Sequence, residues 1–378
     1  MKTIIGSPYR RLGTAALLAF TFGISAPYLS AGEPSLENSP TRLSSNENPF
    51  GYSPKAAEAM IKYLQSGNYY NHNEVDDLVK VLADYNHVKE SYILPTPGSG
   101  PVLQMTALAY AKPGTNVVTT AMGYGQLINA YQEHGGDVKF VQLAPNMGYD
   151  FKALARAIDD KTNVVYICNP NNPTGVLADP AEMKKFIFSV PENILVFVDE
   201  AYLELSDTGL AANTMAPFVN ARKNLLVSRT FSKGHAMAGL RAGYGIANPA
   251  VLTKLKEYYM GPMSYLAAIA AKESIKDQAH LEENRKKYQE MRAYTCKEFD
   301  RRGIKYAENP QGAFVYFRSG MKSEDLLKKL QTSNVLISGS RESGVPPGMY
   351  SEWERVSIGT KEQMDLFFGE LDKALGRT

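Results

Sequence analysis

Cysteine is nearly absent from this chain: 378 residues contain two, Cys168 and Cys296. So few cysteines exclude a disulfide-stapled scaffold, and the five histidines are too scattered to build a metal site in their place. Cys168 ends the apolar run Val164-Val165-Tyr166-Ile167 and reads as a buried strand residue, whereas Cys296 falls in a charged helical stretch. The two are therefore expected to stay unpaired. An excess of one charge is missing as well, since a formal net charge of +2 gives no basis for binding nucleic acid or an anionic membrane surface. The chain has no internal repeat and no low-complexity tract, although thirty glycines and twenty-one prolines punctuate it. No run is long and apolar enough to span a bilayer. The nearest candidate, Ala15 to Ile24, follows Tyr9-Arg10-Arg11 and gives way to small residues ending Leu29-Ser30-Ala31. Residues 1–31 thus read as an export signal peptide, and the protein is expected in the periplasm with no stable membrane association after cleavage. The adjacent arginines after Ser7 resemble a twin-arginine signal, with a Sec signal or an uncleaved anchor as the alternative.

What is present is ordinary soluble-enzyme material, with 44% hydrophobic and 21% charged residues and length enough for two unequal domains. Residues 32–68 read as an N-terminal arm contributing to the smaller domain and the pocket, 69–262 as a large domain, and 263–378 as a connecting helix and small domain. The spacing predicts helices over 54–66 and 74–85, the second because Val75, Leu78, Val79, Val81 and Leu82 recur at helical intervals. Between them Gly67 to His72 is a loop carrying Tyr69 and Tyr70. From Asn116 onward short apolar strands alternate with helices: Val117–Thr119, Val138–Leu143, Val164–Ile167, Ile194–Val198, Leu225–Val227 and Gly245–Ala247. That alternation predicts an α/β fold, a mostly parallel central sheet flanked by helices, with a smaller α+β C-terminal domain. A single long helix is expected from Ser264 to Arg301, strands over 306–317 and 335–338, a strand opened by Arg355, and a closing helix over 361–375.

Ligands in such sheets collect at the carboxyl ends of the strands, so the residues following each strand carry the functional reading. Ile167-Cys168 runs into Asn169-Pro-Asn-Asn-Pro-Thr-Gly175, and Val196-Phe197-Val198 runs into Asp199-Glu200-Ala201-Tyr202. A lone acid there is ordinarily an N-cap or an ion-pair partner; beside a pyridine nitrogen it would keep that nitrogen protonated. Ser99-Gly100 before an apolar helix is either a capped turn or a phosphate-binding helix start. In the stretch Ser228 to Gly245, Lys233 sits among hydroxyls with Arg241 downstream. Alone it reads as a solvated charge, but a lysine in a desolvated, cationic setting is a nucleophilic amine, and such surroundings suit a phosphate-bearing aldehyde. Arg355 reads either as a carboxylate clamp or as a surface ion pair.

Together, Asn-Pro-Asn-Asn-Pro-Thr-Gly at 169–175, Asp-Glu-Ala-Tyr at 199–202, Ser-Lys with Ala-Gly-Leu-Arg at 232–241, and Arg355 resemble the class I/II aminotransferases of fold type I, most closely the histidinol-phosphate aminotransferase branch. The resemblance covers nearly everything after Arg42. It implies pyridoxal 5'-phosphate as cofactor, with Lys233 as the amine that bonds its aldehyde and later moves the proton. It further implies Asp199 at the pyridine nitrogen, Asn172 and Tyr202 at the ring oxygen, and Tyr124 stacked on the ring. The phosphate would be held by Arg241, Ser232 and Thr230 with the amides of Ser99 and Gly100. Tyr70 would reach the partner subunit's phosphate in a homodimer, and Arg355 with Asn46 would bind the substrate carboxylate.

The chain departs from the family at Gly100-Pro101, where acidic residues are usual, at His235 after the lysine, and at Ala313, often an asparagine. With the export signal, these departures predict a substrate other than histidinol phosphate. The reading that follows is an exported aminotransferase working on an L-amino acid and a 2-oxo acid. The alternatives are an amino-acid oxidase or deaminase on the same fold, or a non-enzymatic binding protein.

Overall fold

The computed structural model describes residues 39–340 and 343–377. The signal-peptide reading of residues 1–31 lies outside the described residues. From Pro40 onward the chain forms one compact unit. Its strands are β1 (Thr41–Arg42), β2 (Ile93–Thr96), β3 (Asn116–Thr120), β4 (Asp137–Val141), β5 (Thr162–Cys168), β6 (Leu195–Asp199), β7 (Leu225–Thr230), β8 (Gly243–Ala247), β9 (Lys305–Tyr306), β10 (Phe314–Arg318), β11 (Val335–Leu336) and β12 (Trp353–Ser357).

Seven of these make one sheet in the order β2-β8-β7-β6-β5-β3-β4. The run from β7 to β4 is parallel, while β8 is antiparallel to both β7 and β2. A parallel sheet is covered on both faces, which is why β5 and β6 are continuous apolar runs rather than alternating ones. Side chains still alternate between faces. Val165, Ile167, Val196 and Val198 pack with Leu78 and Leu82 of the helix Asn73–Asn86 and with Ala267 and Ala268 of the helix Tyr265–Lys276. Val164, Tyr166, Leu195 and Phe197 pack on the other side with Leu103 of the helix Gly100–Tyr110 and Leu127 of the helix Gly125–Glu133.

A smaller sheet, β12-β10-β9, is antiparallel and covers a second core of Phe299, Phe314, Phe317, Val356 and Phe367. β1 pairs in parallel with β11, so the arm is stitched to the C-terminal part of the chain. Leu43 enters the second core, whereas Ala56, on the helix Pro54–Tyr63, enters the first.

Three elements differ from expectation. The helix predicted over 264–301 is two helices, Tyr265–Lys276 and Gln278–Arg301, separated by Asp277 at φ −93°, ψ 62°. The Asp277 carboxylate accepts hydrogen bonds from Ser53 Oγ at 2.6 Å and Lys55 Nζ at 3.0 Å, a distant contact that holds this residue out of the helical path. The strand predicted over 306–317 is two antiparallel strands, β9 and β10, with Asn309 at φ 47° in the turn between them. β2 was not expected, because Pro95 reads as a turn; it occupies the sheet edge, where a missing N–H is tolerated.

Candidate active site

β5, β6 and β7 end side by side, so the segments following them converge on one cavity of about 750 Å³. Its walls include Asn172 after β5, Asp199 and Tyr202 from β6, and Thr230, Ser232 and Lys233 from β7. The arm contributes Ser44 to Glu47, the start of the helix Gly100–Tyr110 contributes Ser99 and Gly100, and Arg241 and Arg355 complete the ring. Two neutral groups missed in the sequence reading also line it, Gln126 and Met260.

Asp199 is 2% exposed, and burial raises its carboxyl from 3.8 to about 6 despite neutral donors at Ser228 Oγ (2.8 Å), the Ala201 amide and Tyr166 Oη (3.5 Å). Lys233 lies across the cavity. Burial, and then the Arg355 charge, lower its ammonium to about 8, with Glu47 pulling the other way. Its Nζ donates to the carbonyls of Ser45 (3.1 Å) and Asn46 (3.0 Å) and stands 5.7 Å from the Tyr202 ring centroid. Burial raises the Tyr202 phenol well above its ordinary value, so the hydroxyl stays protonated; it accepts from Asn46 Nδ2 (3.0 Å) and Asn172 Nδ2 (3.2 Å). Asn46 Oδ1 accepts from Ser357 Oγ at 2.9 Å, so both ends of this amide are engaged within the protein. Arg355 Nη1 donates to Asn172 Oδ1 at 2.7 Å and Nη2 to the Ser44 carbonyl.

At one end of the cavity donors gather for an anion. Arg241, in left-handed conformation at φ 60°, donates from Nη1 to Ser232 Oγ at 3.2 Å, and Thr230 Oγ1 lies 3.0 Å from the same hydroxyl. Ser99 caps the helix Gly100–Tyr110 without its side chain; Pro101 has no N–H and the Val102 and Leu103 amides donate to the Ser99 carbonyl, so the amides of Ser99 and Gly100 are the ones this turn offers at the cavity end. Two glycines allow the approach: a Cβ on Gly98 would sit 2.4 Å from Arg241 Nη2, and one on Gly243 would sit 2.4 Å from the Gly98 carbonyl carbon. Tyr124 donates to Gln126 Oε1 at 3.1 Å, and Gln126 Nε2 reaches the Gly100 carbonyl at 3.3 Å. The Gly100–Gln126 contact spans 26 residues and leaves no local sequence signal. Tyr70 stands outside the cavity, 89% exposed, with its ring stacked on His72. His235 is buried away from the cavity against Phe231 and Ser274.

A buried acid whose donors are all neutral, a lysine close to losing its proton and a hydroxyl-and-arginine cradle fit a protonated pyridine, an aldehyde and a phosphate respectively. The fold and site define a pyridoxal 5'-phosphate-dependent enzyme of fold type I. The chain belongs to the class I and II aminotransferases, whose family profile matches residues 39–371. It is 34% identical over 332 residues to the histidinol-phosphate aminotransferase of Brevibacillus brevis, covering 87% of this chain and 89% of that protein. It is 32% identical over 337 residues to the one from Moorella thermoacetica, covering 88% and 85%. Among solved structures, the histidinol-phosphate aminotransferase of Sinorhizobium meliloti in complex with pyridoxal-5'-phosphate superposes with a TM-score of 0.80 at 25% identity, covering 88% of this chain and 90% of that one. The Clostridium acetobutylicum enzyme shares the fold at TM-score 0.80, covering 89% and 99%.

When bound, the cofactor supplies an electron sink that stabilises negative charge at the substrate α-carbon. This chain's residues do the remainder. Asp199 would hold a proton on the ring nitrogen, Tyr202 and Asn172 would present donors to the ring oxygen, and the Arg241 cradle would hold the phosphate. Lys233 Nζ, with its ammonium lowered to about 8, can both release and accept a proton near neutral pH.

Proposed function

We propose that the protein transfers an amino group between an L-amino acid and a 2-oxo acid, with Arg355 receiving the α-carboxylate. The observation that carries this reading is the state of Arg355. It lines the same cavity as Lys233, and its contacts with Asn172 Oδ1 and the Ser44 carbonyl fix the plane of the guanidinium at the cavity wall. A carboxylate held by this fork in the same cavity as Lys233 would set the α-carbon beside the amine. The test is amino transfer from a panel of L-amino acids to 2-oxoglutarate or pyruvate, with Lys233→Ala as control. Acceptor-dependent product is expected; oxygen uptake and peroxide without any acceptor would replace this reading by an oxidase.

A second donor, histidinol phosphate, is favoured by the names of the relatives, which match along nearly the whole described chain. It carries a phosphate in place of the carboxylate and belongs in the same panel. Turnover of histidinol phosphate above every amino acid would establish it in place of the first reading.

Export is part of the proposal and rests on Arg10-Arg11 and the apolar run after it. Fractionation of cells expressing the full chain should place activity in the periplasm, and Arg10→Lys with Arg11→Lys should retain it inside the cell.

A further inference from the structure

A second cavity, of about 600 Å³, lies behind the loop that carries Lys233. It is bounded by the end of the helix Asn73–Asn86, the turn after Tyr202, the short helix Gly209–Asn213 and the start of the helix Gln278–Arg301. Its volume is that of a site for a small molecule.

The charges around it are unevenly matched. Arg229 is consumed internally: Nε meets Glu200 Oε2 at 3.0 Å, Nη1 meets Asn86 Oδ1 at 2.6 Å and Nη2 meets Thr214 Oγ1 at 2.6 Å. Arg285 forks onto Glu282 at 2.6 and 2.7 Å and reaches the Asp207 carbonyl with its third nitrogen. Glu204 has no such partner. It is 6% exposed, and among the described residues its carboxylate receives no hydrogen bond; His235 Nε2 stands 3.3 Å from Oε1, and the Arg229 charge, already tied to Glu200, acts on it only through space. The other oxygen, Oε2, is packed so near Gly234 that a Cβ there would sit 2.7 Å from it. A buried carboxylate without strong donors is destabilising until something cationic meets it.

We propose that this cavity binds a small organic cation, a guanidinium or ammonium group on a short apolar stem, with Glu204 as its anionic anchor. The apolar share of the wall comes from Leu210, Pro217 and Leu281, and the polar share beside Glu204 from Gln278 and Asn86.

The site is wired to the catalytic lysine on both sides. Glu204 lies two residues beyond Tyr202, and His235 lies two residues beyond Lys233. His235 spans the gap: Nδ1 is 2.7 Å from Ser274 Oγ, Nε2 faces Glu204, and the ring packs on Phe231 at 4.7 Å. A cation that draws Glu204 away from His235 loosens one of the two polar ties on the loop Phe231–Met237, and occupancy registers at Lys233. The inference stands whichever amino donor the active site uses.

The test is calorimetric titration of the cofactor-loaded protein with n-propylguanidine, which has no primary amine to react with the cofactor aldehyde, at constant ionic strength. Saturable binding at one site per chain is expected, retained in Lys233→Ala and weakened at least ~10-fold in Glu204→Gln. Saturation should also shift the absorbance band of the lysine-bound cofactor in the parent protein and leave it unmoved in His235→Phe, which keeps binding. No binding up to ~10 mM, the range of a contact with almost no net affinity, or binding indifferent to Glu204→Gln, would overturn the site. Binding with no spectral shift in the parent protein would overturn the link. Should Glu204→Gln fail to fold, Leu210→Trp, which fills the cavity from the helix Gly209–Asn213, must abolish the heat in its place.

Discussion

Asp199 is the residue through which pH acts on the cofactor site. In the cofactor-free fold its carboxyl titrates at about 6 instead of 3.8, because burial outweighs the donors around it. The folded state therefore favours the protonated form; the stability this confers is fully present below the ordinary carboxylate value and is lost as pH rises through about 6. The loss is on the order of 3 kcal/mol. A pyridinium opposite the carboxylate reverses it, so the rise in melting temperature on adding pyridoxal phosphate should be larger at pH 8 than at pH 5, and Asp199→Asn should flatten that difference. Calorimetric melts at the two pH values decide the matter. Arg355 acts on a second group, since its charge helps burial to hold Lys233 near 8. Arg355→Gln should move the titration of the cofactor's lysine band to higher pH and lower kcat/KM for the amino acid at least ~10-fold, through the lost carboxylate contact. A variant with unchanged kcat/KM would remove Arg355 from substrate binding.

At the scale of elements, the site depends on how closely β8 approaches the turn before the helix Gly100–Tyr110. Gly243→Ala would drive a methyl against the backbone of Gly98 and Ser99, at 2.4 and 2.6 Å. We expect a loss of about 1–3 kcal/mol in unfolding free energy and weaker cofactor binding, read from melts and from titration with the cofactor. The parallel strands themselves were legible in the sequence. Val164 to Cys168 and Leu195 to Asp199 are buried on both faces, so each is an apolar run that stops at a polar residue, and that stop marks the carboxyl end where the site lies. Asn172, Asp199, Tyr202 and Lys233 follow such strand ends, whereas Arg241 and Arg355 rested on the family resemblance, and the structure gathers all six around one cavity. What was not legible depends on distant partners. The break at Asp277 is set by Ser53, 224 residues earlier, while the helical periodicity continues across it. The contacts that hold Asn46 in the cavity wall run to Tyr202 and Ser357, groups 156 and 311 residues away.

At the scale of the whole molecule, Tyr70 does not line the cavity. That side chain is 89% exposed, and Tyr69 beside it is 70% exposed. A homodimer with shared sites would put Tyr70 of one subunit at the phosphate of the other. Mixing Lys233→Ala chains with Tyr70→Ala chains should then restore activity that neither preparation shows alone; additive residual activity would confine each site to one chain. The second core makes its own contribution, and Phe299→Ala, which empties a ring packed between Phe317 and Phe368, should cost about 3–5 kcal/mol in denaturant unfolding. The stitching of the arm to the C-terminal strands has a further consequence, for biosynthesis. The Leu43 carbonyl accepts from the Ser357 amide at 2.8 Å and the Asn46 amide donates to Ser357 Oγ at 2.9 Å. The earliest-made wall of the cavity therefore waits on the ribosome for nearly the last strand. A nascent chain stopped short of Trp353 would already contain Lys233, Asp199, the phosphate cradle and β11, yet lack the Ser357 contacts that hold Leu43 and Asn46. Completion of this wall therefore depends on a residue made 311 positions after Asn46.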